Sequence, residues 1–325
     1  MSVVQTIRGP IDSSELGWTL SHEHLTAGGP GMQMFPWIYV EDDAVAANVA
    51  ALRRARDAGI TALIDLTAFD LGRQASLFER IAEADTGVHI VCATGTYRWV
   101  PMYFAGRSAD DLAEHYLREI NGGLPGSSIR PGIIKLAWDV EYRLAVGLPG
   151  ATVRDGLEKC ARGAARAAKA AGVPISCHTR AVDELGTPLL DIFEDEGLDL
   201  RAVTIGHSND TADLEYLKRI AARGATVGLD RYFPRAGEPE LERRAALALE
   251  LARAGYADQV CLGHDASPYY CMAPHAGADF SGCWLPVAQF EIPWLRANGA
   301  APEQIDAFQR GAVRATFEAA AAMAA

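Results

Sequence analysis

Apolar runs of β type alternate with helix-type segments along the whole chain, and this alternation limits the fold more than any other feature. Eight runs are predicted strands: 18–25, 62–67, 89–95, 132–138, 174–179, 202–208, 226–232 and 260–265. Helical periodicity marks the segments 43–58, 108–121, 154–171, 181–196, 211–223, 239–254, 285–298 and 302–322. Strands that alternate with helices form a parallel sheet, and eight of them can close into a barrel. The sequence therefore predicts an α/β fold, a (β/α)8 TIM barrel.

The composition is that of one globular domain over residues 1–325. Of these residues 49% are hydrophobic and 22% are charged, and no linker or low-complexity tract interrupts them. A formal net charge of −12 argues against nucleic acid and anionic membranes as partners. The chain shows neither a secretory signal nor a membrane-length apolar run. Its six cysteines have no close paired spacing, which favours free thiols in the cytoplasm and leaves a Cys271–Cys283 pair open.

The segment LSHEHL, residues 20–25, places two histidines one residue apart at the end of the first predicted strand. Because side chains alternate between the faces of a strand, His22 and His24 point to one side and Glu23 to the other. Neutral imidazole nitrogens bind zinc, iron, nickel and cobalt, so this pair is a candidate metal site. Two buried, hydrogen-bonded histidines are the alternative.

Further reactive side chains fall in or at the ends of other predicted strands, where a TIM barrel forms its active site. They are Lys135 in the fourth strand, His178 in the fifth, His207 in the sixth, Arg231 in the seventh and Asp265 in the eighth. Alternation turns either Asp265 or the preceding His264 away from the barrel axis. We assign Asp265 to the interior, because a carboxylate can bind metal and exchange a proton with metal-bound water, and expect His264 to pack outward.

Lys135 lies in the apolar run GIIKLAW, where a buried ammonium group is costly unless it is paired or modified. One interpretation pairs it with Asp139 or Glu141. The other is that it reacts with carbon dioxide to form a carbamate, an anion that can bridge two metal ions. Charge balance favours the carbamate, since an ammonium group between two cations would add only repulsion.

Six motifs occur in a characteristic order: HEH, GIIKLAW, SCHT, GHSNDTADLEYL, GLDRYF and GHD. In these motifs the chain resembles the phosphotriesterase-like family of the amidohydrolase superfamily, nearly from end to end. The resemblance implies a binuclear metal centre at the C-terminal ends of the barrel strands. It implies these ligands: His22, His24 and Asp265 for the more buried metal, His178 and His207 for the more exposed one, and N6-carboxylated Lys135, with a hydroxide, bridging both. Zinc is the expected metal, with cobalt, iron or manganese as alternatives.

Two residues are more similar to the lactonase branch of the family than to its dedicated organophosphate hydrolases. They are Arg231 in GLDRY and Tyr97 in ATGTYRWVPMYF. The resemblance implies that Tyr97 contacts the hydroxide or orients the substrate, with a pocket wall as the alternative. Arg231 would hydrogen-bond a carbonyl or leaving oxygen, with a salt bridge to Asp230 or Glu238 as the alternative. Asp265, Tyr97 and Arg231 are therefore the expected catalytic residues.

The sequence thus predicts a metal-dependent hydrolase that opens lactones or related esters, with side activity on phosphotriesters. The alternatives are an organophosphate triesterase (aryldialkylphosphatase), an amide-bond hydrolase of the same superfamily, and a metal-stabilised binding protein without catalysis. Loop side chains that could form an apolar pocket favour neutral small-molecule substrates. They are Tyr97, Trp99, Met102, Tyr269, Tyr270 and Met272. The resemblance also implies a homodimer.

Overall fold

The computed structural model describes residues 2–97, 102–104, 106–139, 153–232, 241–271 and 280–324. Near the N-terminus, β1 (Val3–Thr6) and β2 (Gly9–Asp12) form an antiparallel hairpin. The sequence analysis did not predict it, because strands of four residues are too short to show a clear period. Ile7 N, in its turn, donates to Ile90 O (2.9 Å) and so attaches the hairpin to a barrel strand.

The described residues form eight parallel strands, and each pairs with the next one along the chain. Their bounds are β3 (Thr19–Glu23), β4 (Ala62–Asp65), β5 (His89–Gly95), β6 (Ile133–Trp138), β7 (Ile175–Thr179), β8 (Val203–Gly206), β9 (Thr226–Leu229) and β10 (Val260–Leu262). β5 has its predicted bounds. The others are shorter than predicted, because residues at one or both ends of each predicted run lie outside the strand ladder.

The last strand, β10, returns to the first barrel strand, β3. Ser21 Oγ donates to Leu262 O (2.9 Å), and Asp265 N donates to His22 O (3.0 Å). The strands therefore close into a barrel, and the predicted (β/α)8 TIM fold is confirmed.

Helices surround the barrel. Their bounds are α1 (Glu41–Asp57), α2 (Ala75–Glu83), α3 (Ala109–Gly122), α4 (Val153–Ala171), α5 (Gly186–Asp195), α6 (Leu214–Ala222), α7 (Leu241–Arg253), α8 (Ile292–Ala297), α9 (Pro302–Asp306) and α10 (Ala312–Met323). α2 was not predicted, and π-helical turns at Val287–Glu291 and Ala307–Gly311 divide the two C-terminal helical segments. Within the described ranges, no helix is long and apolar enough to span a membrane.

Apolar side chains fill the amino-terminal half of the barrel interior. Ile64, Val91 and Ile133 belong to one buried cluster that α10 closes from below with Phe317. Lys135 lies two residues beyond Ile133 on β6, so it points to the same inner face, nearer the carboxyl ends of the strands. The fold therefore leaves the carboxyl-terminal half of the barrel to polar side chains.

Candidate metal centre

Two histidines of β3 and its exit face the barrel interior. The ring centroids of His22 and His24 lie 5.3 Å apart, and both side chains are buried. His207, which follows β8, stacks on His22 with its centroid at 5.0 Å, and the ring of His178 lies 4.4 Å from that of His207. The structure thus brings together the four histidines that the sequence analysis singled out.

Asp230, directly after β9, orients two of these rings. Its Oδ2 accepts from His22 Nδ1 (2.7 Å), and its Oδ1 accepts from His207 Nδ1 (2.9 Å) and His207 N (2.7 Å). Hydrogen bonds at both Nδ1 atoms leave each Nε2 facing the centre and available as a candidate ligand nitrogen. From the sequence, Asp230 was expected only as a partner of Arg231, so this role was missed.

Glycines make room for the Asp230 carboxylate. A Cβ at Gly206 would lie 2.8 Å from Asp230 Oδ2, and a Cβ at Gly228 would lie 3.1 Å from it. Gly206 ends the neighbouring strand β8, and Gly228 lies on β9, the strand that leads into Asp230. A methyl group at either position would crowd the carboxylate that contacts His22 and His207.

Asp265 points into the barrel, as expected. Its Oδ1 lies 3.1 Å from His24 Nε2 and 3.5 Å from His22 Nε2. On the other side of its ring, His24 Nδ1 lies 3.0 Å from Thr67 Oγ1. Asp265 has φ 51° and His207 has φ 60°, a backbone region uncommon for residues other than glycine and frequent at functional sites.

Lys135 is fully buried, and its Nζ lies 3.0 Å from His22 Nε2. Of the two partners considered from the sequence, Asp139 lies against His178 instead, and Glu141 falls outside the described residues. Burial lowers the pKa of Lys135 to about 8, although Asp265 and Asp230 favour its charged form. Burial therefore favours the neutral amine more than it is favoured in an exposed lysine.

His178 presents its other ring nitrogen to the centre. Asp139 Oδ2 lies 3.1 Å from His178 Nε2, while Tyr97 Oη lies 3.2 Å from His178 Nδ1. Nδ1 is therefore the candidate ligand atom of His178. The hydroxyl of Tyr97, one of the expected catalytic groups, lies at the edge of the centre.

Arg231 pairs with two carboxylates at the barrel mouth. Its Nε donates to Asp265 Oδ2 (3.2 Å), and its Nη1 donates to Asp210. Of the two partners considered from the sequence, Asp230 faces the imidazoles instead, and Glu238 lies outside the described residues. Burial opposes the charge, but Asp265 and Asp210 raise the pKa of Arg231 above its usual value. Arg231 is thus a fixed cation beside Asp265.

His264 packs outward, as alternation predicts, and is fully buried. Its Nδ1 lies 2.6 Å from Glu23 Oε1, and its Nε2 accepts from Val287 N (3.1 Å). Burial lowers the pKa of His264 to about 3 and raises that of Glu23 well above its usual value. This pair links the ends of β3 and β10 behind the residues that face the centre.

Electrostatics prepare the centre for cations at neutral pH. Burial lowers the pKa of His22 to about 4 and that of His207 well below its usual value. Burial would raise the pKa of Asp265, but His207, His24 and Arg231 hold it well below its usual range. The centre therefore offers neutral imidazoles at His22 and His207 and an ionised carboxylate at Asp265, the protonation states that metal binding requires.

The described part of the chain contains two groups of three residues that could bind a metal. Within each group, the three ligand atoms lie within 4.8 Å of one another. The groups are His22, His24 and Asp265, and His22, His207 and Asp230. Asp230 is already engaged by the Nδ1 atoms, so the first group is the better metal site. Nitrogen and carboxylate donors in this arrangement fit zinc and related divalent metals.

The structure describes the expected substrate pocket only in part. Trp99 and Met272 lie outside the described residues, and so does the side chain of Met102. Tyr269 Oη accepts from Val40 N (2.9 Å), and Tyr270 Oη accepts from Ser267 N (3.2 Å). Both hydroxyls therefore contact loop backbone. All six cysteines lie in the described ranges and are free thiols, so Cys271 and Cys283 do not pair.

Comparison with known proteins adds the family. The sequence model that describes the phosphotriesterase family matches residues 2–315 of this chain. The chain is 33% identical over 307 residues to an aryldialkylphosphatase of Saccharolobus solfataricus, covering 91% of this chain and 93% of that protein. It is 33% identical over 332 residues to a phosphotriesterase homology protein of Mycobacterium tuberculosis, covering 98% of each. An N-acetyltaurine hydrolase of Mus musculus is 25% identical, with 86% of this chain and 88% of that protein covered.

A TIM barrel whose mouth gathers histidines, carboxylates and a buried lysine has the architecture of a hydrolase that acts on small molecules. The chain belongs to the phosphotriesterase family, and it is a hydrolase.

Proposed function

We propose that this hydrolase uses two divalent metal ions to open lactones or related esters. The observation that carries the proposal is the convergence of His22 Nε2 and His24 Nε2 on Asp265 Oδ1, at 3.5 and 3.1 Å. Hydrogen bonds at the opposite nitrogens fix both rings, so these ligand atoms are held in place in advance.

The ligand set follows from which atoms face the centre. His22, His24 and Asp265 would hold the more buried metal. The second metal would take His178 through Nδ1 and His207 through Nε2, whose rings are adjacent. Zinc suits this nitrogen and oxygen set, and cobalt, iron and manganese are alternatives.

Lys135 would bridge the two metals as a carbamate. Its neutral Nζ attacks the carbon of carbon dioxide. A C–N bond forms, one C=O π bond breaks with its electron pair moving to oxygen, and a proton of Nζ leaves to solvent. The buried position and the lowered pKa of Lys135, about 8, support this reaction because only the neutral amine is nucleophilic. The product is an anion in a place where an ammonium group would repel both cations.

When bound, the metals would supply a hydroxide nucleophile and polarise the substrate's carbonyl oxygen. Asp265, whose carboxylate stays ionised, would accept the nucleophile's proton and pass it to the leaving oxygen. Arg231, fixed by Asp265 and Asp210, would donate to the carbonyl or leaving oxygen. Tyr97, beside His178, would orient the substrate.

Phosphotriester hydrolysis is the second candidate, and it is favoured by the 33% identity to an aryldialkylphosphatase. A carbonyl under attack becomes tetrahedral, much like a phosphorus centre under attack, so one metal pair can assist both reactions. Amide hydrolysis is a third candidate, from the more distant likeness to N-acetyltaurine hydrolase. The apolar loop residues expected from the sequence favour a neutral ester or phosphotriester over a charged amide. The resemblance of Arg231 and Tyr97 to the lactonase branch favours the ester over the phosphotriester.

A substrate panel tests the proposal. We expect the kcat/KM of the metal-loaded protein for lactones to exceed that for a dialkyl aryl phosphate by about 10-fold or more, roughly 1.4 kcal/mol of differential transition-state binding. Chelated protein serves as the control. If the phosphotriester or an N-acyl amide is the better substrate, the lactonase assignment is wrong. The enzyme would then be a metal-dependent phosphotriesterase or amide hydrolase.

We also infer a cytoplasmic homodimer built from one barrel domain per chain. Exposed apolar side chains after β3 support an interface, since monomers rarely expose such a cluster. Met34 and Trp37 are 74% and 78% exposed, and Phe35, Ile38 and Val40 are also exposed. Light scattering should give twice the chain mass, and Trp37→Glu should give monomers with the same metal content. A monomeric wild-type protein would contradict the inference.

A further inference from the structure

Asp70 lies in a short 3-10 helix, Phe69–Leu71, in the loop after β4. The residue is 3% exposed although it carries a carboxylate. Both of its oxygens accept from one backbone group, Tyr97 N, at 2.9 and 3.0 Å. A buried carboxylate that accepts from a backbone N–H with both oxygens holds that N–H through a charge-assisted interaction.

The hydrogen bond from Tyr97 N to Asp70 lies directly beyond the last backbone hydrogen bond between β5 and β6. Thr96 N still donates to Lys135 O of the neighbouring strand (3.0 Å). Tyr97, the next residue, donates to Asp70 instead. The path of the chain into the loop after β5 therefore depends on a side chain from the preceding loop.

The side chain of Tyr97 reaches the candidate metal centre from this point. Its hydroxyl lies 3.2 Å from His178 Nδ1, and the two rings meet edge to face with centroids 5.1 Å apart. Asp70 therefore anchors the backbone from which the Tyr97 side chain reaches His178.

A separate brace holds the strand that precedes Tyr97. Arg73 donates to Ala93 O (2.7 Å) and to Glu119 Oε1 (2.7 Å), and Glu119 Oε2 accepts from Thr94 Oγ1 (2.6 Å). This brace contacts β5 but does not contact Tyr97 N. It is therefore a natural internal control for the effect of losing a buried carboxylate nearby.

We propose that Asp70 is a positioning residue that fixes Tyr97, and through it the substrate, at the metal centre. The proposal rests on the proposed function only in that Tyr97 contacts the reacting substrate. Asp70 itself does not touch the substrate. Its removal should misplace the Tyr97 hydroxyl while leaving the metal ligands where they are.

A double-mutant cycle tests this proposal. We expect Asp70→Ala to lower kcat for the best substrate by about 10-fold at nearly constant KM, since misplacing a positioned group by about 1 Å is costly. In a Tyr97→Phe background the same substitution should change kcat by less than about 2-fold, because the two residues act through one hydroxyl. Asp70→Asn keeps one acceptor oxygen and should retain most of the activity. All variants should keep two metals.

The matched control is Glu119→Gln, which removes a buried carboxylate from the brace. It should lower the melting temperature, and any loss of kcat should be the same with and without Tyr97. Equal losses for Asp70→Ala in both backgrounds, or no loss at all, would overturn the proposal. Asp70→Ser replaces Asp70→Ala if the alanine variant does not fold.

A crystal structure of Asp70→Ala separates this proposal from the proposed function. We expect the distance from Tyr97 Oη to His178 Nδ1 to increase by about 1 Å or more, whichever substrate the enzyme prefers. A distance that stays at 3.2 Å would overturn the positioning role even if lactones prove to be the substrates.

Discussion

Replacing Asp230 with asparagine should weaken metal binding although Asp230 is not itself among the proposed ligands. The substitution is nearly isosteric, so the space left by Gly206 and Gly228 still fits the side chain. It exchanges one carboxylate oxygen for an amide NH2 group, which can only donate. The two imidazoles that Asp230 orients, those of His22 and His207, can then no longer both donate to it through Nδ1.

The size of the effect follows from these contacts. The carboxylate accepts three hydrogen bonds, one from His22 and two from His207. An asparagine oxygen that keeps the two bonds to His207 turns its NH2 group toward His22 Nδ1. The proton of His22 must then move to Nε2, which removes the lone pair that the metal needs. Loss of one charge-assisted bond corresponds to about 1.5–3 kcal/mol, or about 10- to 100-fold in metal affinity.

The assay is a titration of metal-free protein against a chelator of known affinity, with metal content measured per chain. Asp139→Asn is the matched control, because Asp139 contacts His178 and should affect only the second metal. Circular dichroism should show both variants folded. If Asp230→Asn binds two metals with affinity within about 3-fold of wild type, the orienting role of Asp230 is wrong.

Four further substitutions test the remaining parts of the account. Lys135→Ala should bind fewer than two metals and lose activity, with partial rescue by a short carboxylic acid plus metal; two metals and normal turnover without the additive would rule out the carbamate. Asp265→Asn should lower kcat by about 10²-fold or more in fully metallated protein, and normal turnover would remove its proton-transfer role. Arg231→Ala should reduce lactone turnover while the metals remain bound, and a comparable loss of metal would contradict a role on substrate. His207→Asn tests the lowered pKa of His207. Below about pH 6.5 the imidazole of His207 is protonated in the unfolded chain but not in the folded metal-free chain. As the pH falls, the free energy of unfolding of the wild type should therefore decrease faster than that of the variant, by about 1.4 kcal/mol per pH unit. Urea unfolding at several pH values measures the difference in stability between the two proteins. Both contain the same buried carboxyls with raised pKa, so the contribution of those groups cancels in the difference. Parallel pH profiles of the two proteins would refute the lowered pKa of His207.

The fold was predictable because its pattern repeats. Each barrel strand is an apolar run followed by an amphipathic helix, so errors at single boundaries did not change the topology. The N-terminal hairpin and α2 were missed, since their apolar patterns are short. The π-helical turn Val287–Glu291 lies in a segment whose helical period looks continuous in the sequence.

The inner residues of the candidate site were also predictable, because strand alternation and strand ends decide which side chains face the barrel mouth. His22, His24 and Asp265 are examples. The groups that orient them were not. Asp230 follows a different strand from either of the two rings it contacts, and Asp70 reaches Tyr97 from another loop. Such pairings depend on the stagger between strands and on loop paths, which one sequence does not encode in a readable pattern.

The central claim is that catalysis needs two metals held by this centre. Lactone hydrolysis should therefore be measured while metal-free protein is titrated with zinc in the presence of bicarbonate. We expect activity to rise until two equivalents per chain are bound and to return to the background rate when a chelator removes them. Full activity in the metal-free protein, or saturation at one equivalent, would contradict the binuclear account.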